Sequence, residues 1–205
     1  MQQAIFTCRF LLFNNRLCSV HWLRIAVGNV TYGAKQRRLL RLNEKFLVAI
    51  KPFALTEEIE ILYALYKSTV DFEAPDSVES WLLDGAIHNA FDTYVIEVRD
   101  ENRLIAAGIF DKGSQSIAGI MNFYHPDYHK QSLGKYLMLL KINYARLQQK
   151  AYYYPGYVAT NYPKFDYKLF SCEAATQVFD PNSGEWLPFS WETVTALSAD
   201  MMDEG

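Results

Sequence analysis

Residues 117–158 read IAGIMNFYHPDYHKQSLGKYLMLLKINYARLQQKAYYYPGYV, and this stretch predicts four successive elements. Ile117–Tyr124 has the apolar character of a strand, and His125–Gln131 is a polar loop. Ser132–Gln149 carries leucine and tyrosine at helical spacing, and Ala151–Val158 returns as a strand. A strand, a helix and a second strand at this spacing indicate a right-handed crossover between parallel neighbours.

Two further apolar runs precede this unit, at Tyr94–Arg99 and Leu104–Phe110. Short polar turns separate them from each other and from the strand at Ile117, which is typical of an antiparallel meander. The sequence therefore predicts an α+β fold with a mixed sheet. In this sheet the meander leads into one β-α-β crossover, and helices cover both faces.

The remaining N-terminal elements follow from the same patterns. We expect residues 1–20 to be an N-terminal remnant and residues 21–205 to form a single domain. The expected elements are strands at Trp22–Val27 and Phe46–Phe53, and helices at Lys35–Lys45, from Thr56 onward, and at Ser77–Ala90 with Trp81 facing inward.

The charge balance excludes one class of protein. The chain of 205 residues has 20 basic and 23 acidic residues, so its net charge of −3 does not fit a protein that coats nucleic acid through overall charge. A local basic patch remains compatible with this total. Residues 35–45 contain one acid, Glu44, and five basic residues: Lys35, Arg37, Arg38, Arg41 and Lys45. This segment is either a nucleic-acid contact or an ordinary solvated helix face.

Cysteine content and hydropathy indicate a cytoplasmic protein. Three cysteines cannot form a disulfide framework, and the spacing Cys18-x-x-His21 cannot complete a four-ligand zinc site, so we expect no metal. No apolar run reaches the roughly 18 residues of a membrane span, and no signal peptide is recognisable. We therefore expect no membrane partner.

The start of the long helix has the residues of an anion-binding turn. Gly134 lets the backbone approach a ligand closely, and free amides at a helix start attract negative charge. We therefore predict a substrate-binding turn at Gln131, Ser132, Leu133 and Gly134. A helix start with a packing glycine is the alternative.

This turn resembles the Gln/Arg-x-x-Gly-x-Gly/Ala pattern with which GNAT acetyltransferases hold the pyrophosphate of coenzyme A. The preceding meander and the crossover also resemble the GNAT fold. The last position departs, because Tyr136 stands where that family has a small residue and its ring would crowd a diphosphate. A coenzyme A-dependent N-acetyltransferase is therefore an alternative against which Tyr136 counts.

A more specific resemblance is to the arginyl-tRNA–protein transferases, whose bacterial members transfer leucine and whose eukaryotic members transfer arginine from charged tRNA to a protein N-terminus. It covers roughly residues 18–170. Three features depart from the family pattern. His125 stands where the family has an acid, and Pro155 stands where it has leucine. Of the cysteine-rich N-terminal region of the family, Cys18 is the part that this sequence retains. The matching blocks are Gln36–Asn43, Asn122–Asp127, Ser132–Tyr136, Tyr152–Tyr157 and Lys164–Lys168.

The resemblance implies direct aminolysis of the aminoacyl ester, with aminoacyl-tRNA as co-substrate and no cofactor. Glu97 is the candidate general base, since a carboxylate between apolar strand residues is either used or paired. An ion pair with Arg99 or Lys112 is the alternative. Tyr124 and Tyr157 end the strands that border the site, and their hydroxyls could donate to the oxyanion or their rings stack on the terminal adenosine.

The same resemblance implies an acceptor protein with an acidic N-terminal residue, which needs a cation in the site. Lys164 and Lys168 are the candidates for that cation, with Tyr167 placed to orient them. Gly156 completes the predicted substrate-binding set. Binding of tRNA phosphates is expected at Arg37, Arg38 and Arg41.

Two further functions are compatible with the fold, and the length of the chain counts against the first. A peptidoglycan-bridge aminoacyltransferase usually has two such domains and a helical arm, for which 205 residues are too few. A catalytically inactive protein that binds tRNA or protein N-termini is the other. The sequence predicts neither the transferred amino acid nor the oligomeric state.

Overall fold

The computed structural model describes residues 10–13, 16–72, 74–83 and 91–203. Its strands are β1 Phe10–Phe13, β2 Arg16–Ala26, β3 Leu47–Pro52, β4 Thr93–Asp100, β5 Arg103–Lys112, β6 Ser116–Tyr124, β7 Tyr152–Ala159, β8 Thr176–Phe179 and β9 Trp186–Pro188. Its α-helices are α1 Ala34–Asn43, α2 Glu57–Lys67, α3 Val78–Leu82, α4 Leu133–Leu147 and α5 Trp191–Asp203.

The described strands form one sheet in the order β3-β4-β5-β6-β7-β2-β8-β9, and β1 pairs with β2. The pairs β3–β4, β4–β5 and β5–β6 are antiparallel, which confirms the meander. β6 and β7 pair parallel through the α4 crossover, over Ser116–Ala118 and Tyr152–Tyr154. Beyond these three residue pairs the two strands diverge. The predicted α+β fold with a mixed sheet and one β-α-β crossover is confirmed.

Helices cover both faces of the sheet, as predicted. On one face, α1 and α4 pack on buried residues such as Ile96 and Phe110. On the other, α2 and α3 pack on Ile109 and Phe123. Apolar side chains that alternate along β4 and β5 supply both cores, because successive residues of a strand point to opposite faces.

The start of α2 shows how sequence fixes a boundary. Thr56 is its N-cap, and the Oγ1 of Thr56 accepts a hydrogen bond from the Ile59 amide at 3.3 Å. Glu57 and Glu58 follow in the first turn, where a carboxylate interacts favourably with the helix dipole. The buried side of α2, with Ile59 and Leu62, then fixes the helix on the sheet.

Two elements and the orientation of one side chain differ from the sequence predictions. β2 begins at Arg16 rather than Trp22, so it crosses the boundary that we place between residues 20 and 21. In the predicted helix Ser77–Ala90, α3 covers Val78–Leu82, and residues 84–90 lie outside the described residues. The inward orientation of Trp81 is wrong, since its side chain is 56% exposed.

The C-terminal part contains two strands and a helix that we did not predict from the sequence. β8 and β9 extend the sheet beyond β2, and α5 packs on Leu23 of β2 through Val194 and Leu197. His21 also joins α5 to β2, with Nε2 2.8 Å from the Ser198 Oγ. None of the helices within the described ranges has the length and apolar character of a membrane span.

Candidate active site

A cleft of about 1060 Å³ opens where β6 and β7 diverge. β6, the first turn of α4, the end of α2 with the segment after it, β7 and the segment after β7 form its walls. Ten of the 22 described residues that line it are Tyr, Phe or Trp. The wall is therefore rich in flat rings that suit stacking on a base or packing on an apolar side chain.

Both predicted tyrosines line this cleft, one from each diverging strand. The ring of Tyr124 lies 5.3 Å from that of Tyr66 on α2. The ring of Tyr157 lies 5.1 Å from that of Phe165. Neighbouring rings thus restrict the orientation of both phenols at the cleft wall.

Of the four residues predicted at the start of α4, two reach the cleft. Ser132 lines it with φ 48° and ψ 47°, and Gly134 lines it beside Tyr124. A Cβ at Gly134 would lie 3.4 Å from the Tyr124 ring, so a side chain there would press on this wall. Leu133 is fully buried in the core, and Gln131 is not part of the lining.

Tyr136 does not take the position that the sequence argument assumed. Its ring is only 4% exposed and belongs to the core on the α4 face of the sheet. The expectation that it would crowd a diphosphate at the helix start is therefore wrong. Tyr136 is a core residue, and burial raises the pKa of its hydroxyl.

Lys164 is a cation of the cleft. It lines the wall together with Tyr167, and its Nζ lies 2.5 Å from the Oδ1 of Asp71. The same Nζ lies 4.2 Å from the centre of the Phe72 ring. Since the Lys164 side chain is 34% exposed, a carboxylate of a substrate has access to it.

Lys168 lies behind the wall rather than in it. It is 8% exposed, and its Nζ donates to the Tyr157 carbonyl at 2.7 Å and lies 4.4 Å from the centre of the Phe165 ring. Burial lowers the pKa of Lys168 to about 7. Gly156 makes room for it, with φ +102° and a Cβ position 3.3 Å from the Nζ. These two residues support the cleft wall from its rear.

Glu97 lies outside the cleft. Its Oε1 is 2.8 Å from Lys51 on β3, and its Oε2 is 3.2 Å from Arg99, which also binds Glu58 on α2. Glu97 is 4% exposed and is not part of the cleft lining. Glu97, the candidate base, thus belongs to an ion-pair cluster, which was the alternative to a catalytic role. Arg99 is one of the two partners expected from the sequence, and Lys51 is the other partner in the structure.

The basic segment lies on α1, beside the start of α4. Asn43 donates from Nδ2 to the Gln131 carbonyl at 3.0 Å, and Gln36 donates from Nε2 to the Phe170 carbonyl at 2.5 Å. These bonds hold α1 between the segments that flank the cleft. The basic side chains of this segment are all exposed: Lys35, Arg37, Arg38, Arg41 and, just beyond the helix, Lys45.

His125 holds the turn that follows β6. Its Nδ1 accepts a hydrogen bond from the Asp127 amide at 3.2 Å, as a capping carboxylate would, and its Nε2 contacts Arg103. Burial lowers the pKa of His125, with a further contribution from Arg103. His125 is thus the side-chain cap of the segment Pro126–Gln131.

Sequence reasoning missed Asn122 and Lys141. Asn122 lines the cleft from β6, and Lys141 is fully buried beneath it. One signal was present, because Lys141 is a charged residue on the apolar side of α4, next to Ile142 and one turn after Leu137. Trp81 and Phe72 also line the cleft, from segments far away in sequence.

Metal-binding groups are not found in the described part of the chain. No cluster of three or more His, Cys, Asp or Glu side chains with the geometry to hold an ion occurs there. Cys18 and His21 are three residues apart on β2 and therefore point to opposite faces of the strand. Cys18 packs in an apolar cluster, whereas His21 bonds to Ser198.

A family model described as the C terminus of arginine-tRNA-protein transferase matches residues 58–172 of this chain. The matched range is more than half of the chain and includes β4 to β7, α4 and the segment after β7. It thus contains every described residue that lines the cleft.

Two curated relatives carry the name aspartate/glutamate leucyltransferase. The protein from Shewanella sp. (strain MR-7) is 31% identical over 155 residues, which cover 71% of this chain and 62% of the relative. The protein from Leptospira interrogans serogroup Icterohaemorrhagiae serovar copenhageni is 26% identical over 170 residues, which cover 80% of this chain and 66% of the relative. The chain thus spans less than two thirds of the length of these relatives.

Among solved structures, FemX superposes on 77% of this chain and 57% of its own chain with a TM-score of 0.52. The sequence identity is 9%, so the likeness concerns the fold alone. It agrees with the mixed sheet and the crossover described above.

Proposed function

The chain belongs to the arginine-tRNA-protein transferase family, and we propose that it transfers an amino acid from charged tRNA to the N-terminal amine of an acceptor protein. One observation carries this proposal. The cleft between β6 and β7 is lined by Tyr124 and Tyr157 and has an accessible cation, Lys164, in its wall. The basic helix α1 lies beside the start of α4, whose first turn lines the cleft.

The proposed reaction is direct aminolysis. The neutral α-amine of the acceptor attacks the carbonyl carbon of the aminoacyl ester, a C–N bond forms, and the C–O bond to the tRNA ribose breaks. The amine loses a proton, and the ribose oxygen gains one. Since an α-amine has a pKa of about 7.7–8.0, a fraction is neutral at cellular pH. Positioning of the two reactants then supplies much of the rate, and no cofactor is required.

We propose leucine as the transferred amino acid. The relatives are named leucyltransferases, and the cleft has an apolar part made by Ile120, Met121 and Phe123. A guanidinium would need a carboxylate partner there. The two carboxylates of the described lining, Asp71 and Asp76, are both paired with lysines.

The proposed acceptor begins with aspartate or glutamate. The names of the relatives support this choice, and Lys164 supplies an accessible ammonium in the wall. Lys168 is buried behind Tyr157 and has no direct access to the cleft. We therefore assign recognition of the acidic side chain to Lys164, with Lys168 as support of the wall.

We propose that tRNA lies along α1. Arg38 and Arg41 are exposed on the helix beside the start of α4, and Lys135 continues the positive charge into the cleft. The rings of Tyr124 and Tyr157 then suit stacking on the terminal adenosine, a contact worth about 1–3 kcal/mol per base. The location proposed for this reaction is the cytoplasm, where thiols such as those of Cys18 and Cys172 stay reduced.

A transfer assay with several charged tRNAs tests the proposal. Labelled leucyl-, arginyl- and phenylalanyl-tRNA are incubated with peptides that begin with Asp, Glu, Asn or Gln, and label in the peptide is measured. We expect transfer of leucine to the Asp and Glu peptides. Tyr157→Phe and Tyr124→Phe should reduce the rate, whereas Tyr154→Phe, which packs on Trp186 outside the cleft lining, should not.

The other outcomes identify the alternatives. Transfer of arginine alone would contradict the leucine assignment and leave the reaction class intact. Acetylation of the peptides from acetyl-coenzyme A, without transfer from any tRNA, would replace the proposal with an N-acetyltransferase. Binding of tRNA without transfer to any peptide would identify an inactive binding protein.

A further inference from the structure

Lys141 on α4 is a lysine with no exposed surface and three oxygen acceptors. Its Nζ donates to the Ile109 carbonyl at 2.8 Å, to the Asn122 Oδ1 at 2.9 Å and to the Met121 carbonyl at 3.3 Å. An ammonium has three N–H groups, and each of them has an acceptor here. The site is therefore built for a charged lysine and not for an alkyl chain.

An irregularity of the sheet creates this site. The register of β5 and β6 shifts between Ile109 and Phe110, which leaves Ile120 of β6 without a partner. Gly108 clears the space. A Cβ at this position would lie 3.1 Å from the Asn122 Oδ1 and 3.3 Å from the Lys141 Cε.

The ammonium fixes the orientation of the Asn122 amide. An ammonium has no acceptor, so only the Oδ1 of the amide can face it. The Nδ2 must then point away from Lys141. Asn122 lines the cleft, and its Nδ2 donates to no acceptor among the residues that the structure describes.

Burial of this lysine is costly if its only task is to fill the core. Burial lowers the pKa of Lys141 to about 7, and Asp111 opposes that effect. Replacing a buried charge by an apolar residue of similar volume is often neutral or stabilising. A lysine at this position is better explained by what it does to its neighbour at the cleft.

We propose that Lys141 is a positioning residue, which fixes Asn122 so that the Asn122 Nδ2 donates a hydrogen bond to the carbonyl oxygen of the aminoacyl ester. This inference rests on the proposed function. When the acceptor amine attacks, that oxygen takes up the negative charge of the tetrahedral intermediate. A donor oriented in advance stabilises this charge without reorganisation, and removal of one such donor typically reduces kcat about 10²- to 10³-fold.

Four variants test this assignment in the leucine-transfer assay. Asn122→Ala should reduce kcat about 10²-fold, with a much smaller change in KM. Asn122→Asp should reduce it as strongly, because the carboxylate keeps the contact with Lys141 and loses only the donor. Lys141→Met should reduce kcat about 10-fold or more, because a free amide no longer holds one orientation. In the Asn122→Ala background, Lys141→Met should cause no further reduction.

Each result separates the proposed role from a structural one. Multiplicative losses in the double variant would show that Lys141 acts independently of Asn122 and would overturn the inference. An unchanged kcat in Asn122→Asp would also overturn it, and this variant decides the matter if Lys141→Met does not fold. Wild-type protein without any transfer would overturn the proposed function as well, so the two failures are distinguishable.

Discussion

The Nζ of Lys164 lies 2.5 Å from the Oδ1 of Asp71, and this ion pair joins the segment after β7 to the segment after α2. Both residues line the cleft. The hydrogen bond from Lys164 lowers the pKa of the Asp71 carboxyl. Asp71 therefore presents to Lys164 the same group that an acidic acceptor residue would bring.

Lys164→Met should raise the KM for peptides that begin with Asp or Glu about tenfold or more, with a smaller change in kcat, because a hydrogen bond between two charged groups contributes about 1.5–3 kcal/mol. Steady-state transfer kinetics at several peptide concentrations measure this. Lys67→Met is the matched control, since Lys67 also forms an ion pair, with Asp76, but does not line the cleft.

A second variant, Asp71→Asn, shows whether the Asp71 carboxylate competes with the acceptor for Lys164 or holds the cleft wall in place. If Asp71 competes with the acceptor for Lys164, its neutralisation should lower KM by no more than about fivefold, since an exposed pair contributes about 0–1 kcal/mol. A higher KM in Asp71→Asn would show that the pair holds the wall in place and would contradict the competition.

Glu97→Gln should leave kcat within about threefold of the wild type, because Glu97 lies among Lys51 and Arg99 and away from the cleft, whereas loss of a general base costs about 10²- to 10⁴-fold. The free energy of unfolding should fall, since Lys51 and Arg99 lose a buried partner. A loss of kcat of the larger size, with an intact fold, would restore Glu97 as the base.

His21 should make the stability of the fold dependent on pH. It is 1% exposed, and burial lowers its pKa to about 4 from the ordinary 6.5. The unfolded chain therefore binds a proton that the folded chain does not, and stability is complete above the unfolded pKa and falls as pH decreases. Between about pH 7 and pH 5 this residue should account for a loss of about 2 kcal/mol.

Urea unfolding at both pH values measures this loss in the wild type and in His21→Gln. Glutamine has an amide for the bond to Ser198 but does not titrate, so the variant should show a smaller pH dependence. Equal pH dependence in the two proteins would exclude His21 as its source.

Arg38→Glu combined with Arg41→Glu should weaken tRNA binding and reduce its salt dependence. Both side chains are exposed on α1. Each phosphate contact contributes about one unit to the slope of the logarithm of the binding constant against the logarithm of the salt concentration. Filter binding at several salt concentrations measures the slope. Glu44→Lys, at the end of the same helix, should have the opposite effect. An unchanged slope in the double variant would place the tRNA elsewhere.

The fold was predictable where its determinants are local. The crossover around α4 and the meander before it follow from periodicity and turn residues within Tyr94–Val158. The cleft was predictable only in part. Tyr124, Tyr157 and Lys164 belong to blocks of a family pattern, whereas Trp81 lines the cleft although the periodicity of its helix assigned it to the inward side.

Partners that come from distant strands explain the other differences. Glu97 looked out of place between Ile96 and Val98, because Lys51 lies across the sheet on β3, which no local pattern reveals. Tyr136 occupies a position at which the coenzyme A-binding pattern of GNAT acetyltransferases has a small residue, yet the helix turns its ring into the core. In both cases the sequence identifies an unusual residue at its position. The direction of its side chain, however, depends on tertiary packing.

The three residue pairs between β6 and β7 divide the sheet into two wings. One wing comprises β3 to β6, the other β7, β2, β8 and β9, and each has a longer internal ladder than the seam that joins them. The two strands that carry Tyr124 and Tyr157 are therefore joined by few backbone hydrogen bonds, and a rotation of one wing against the other would break few of them while it changed the distance between these two tyrosines.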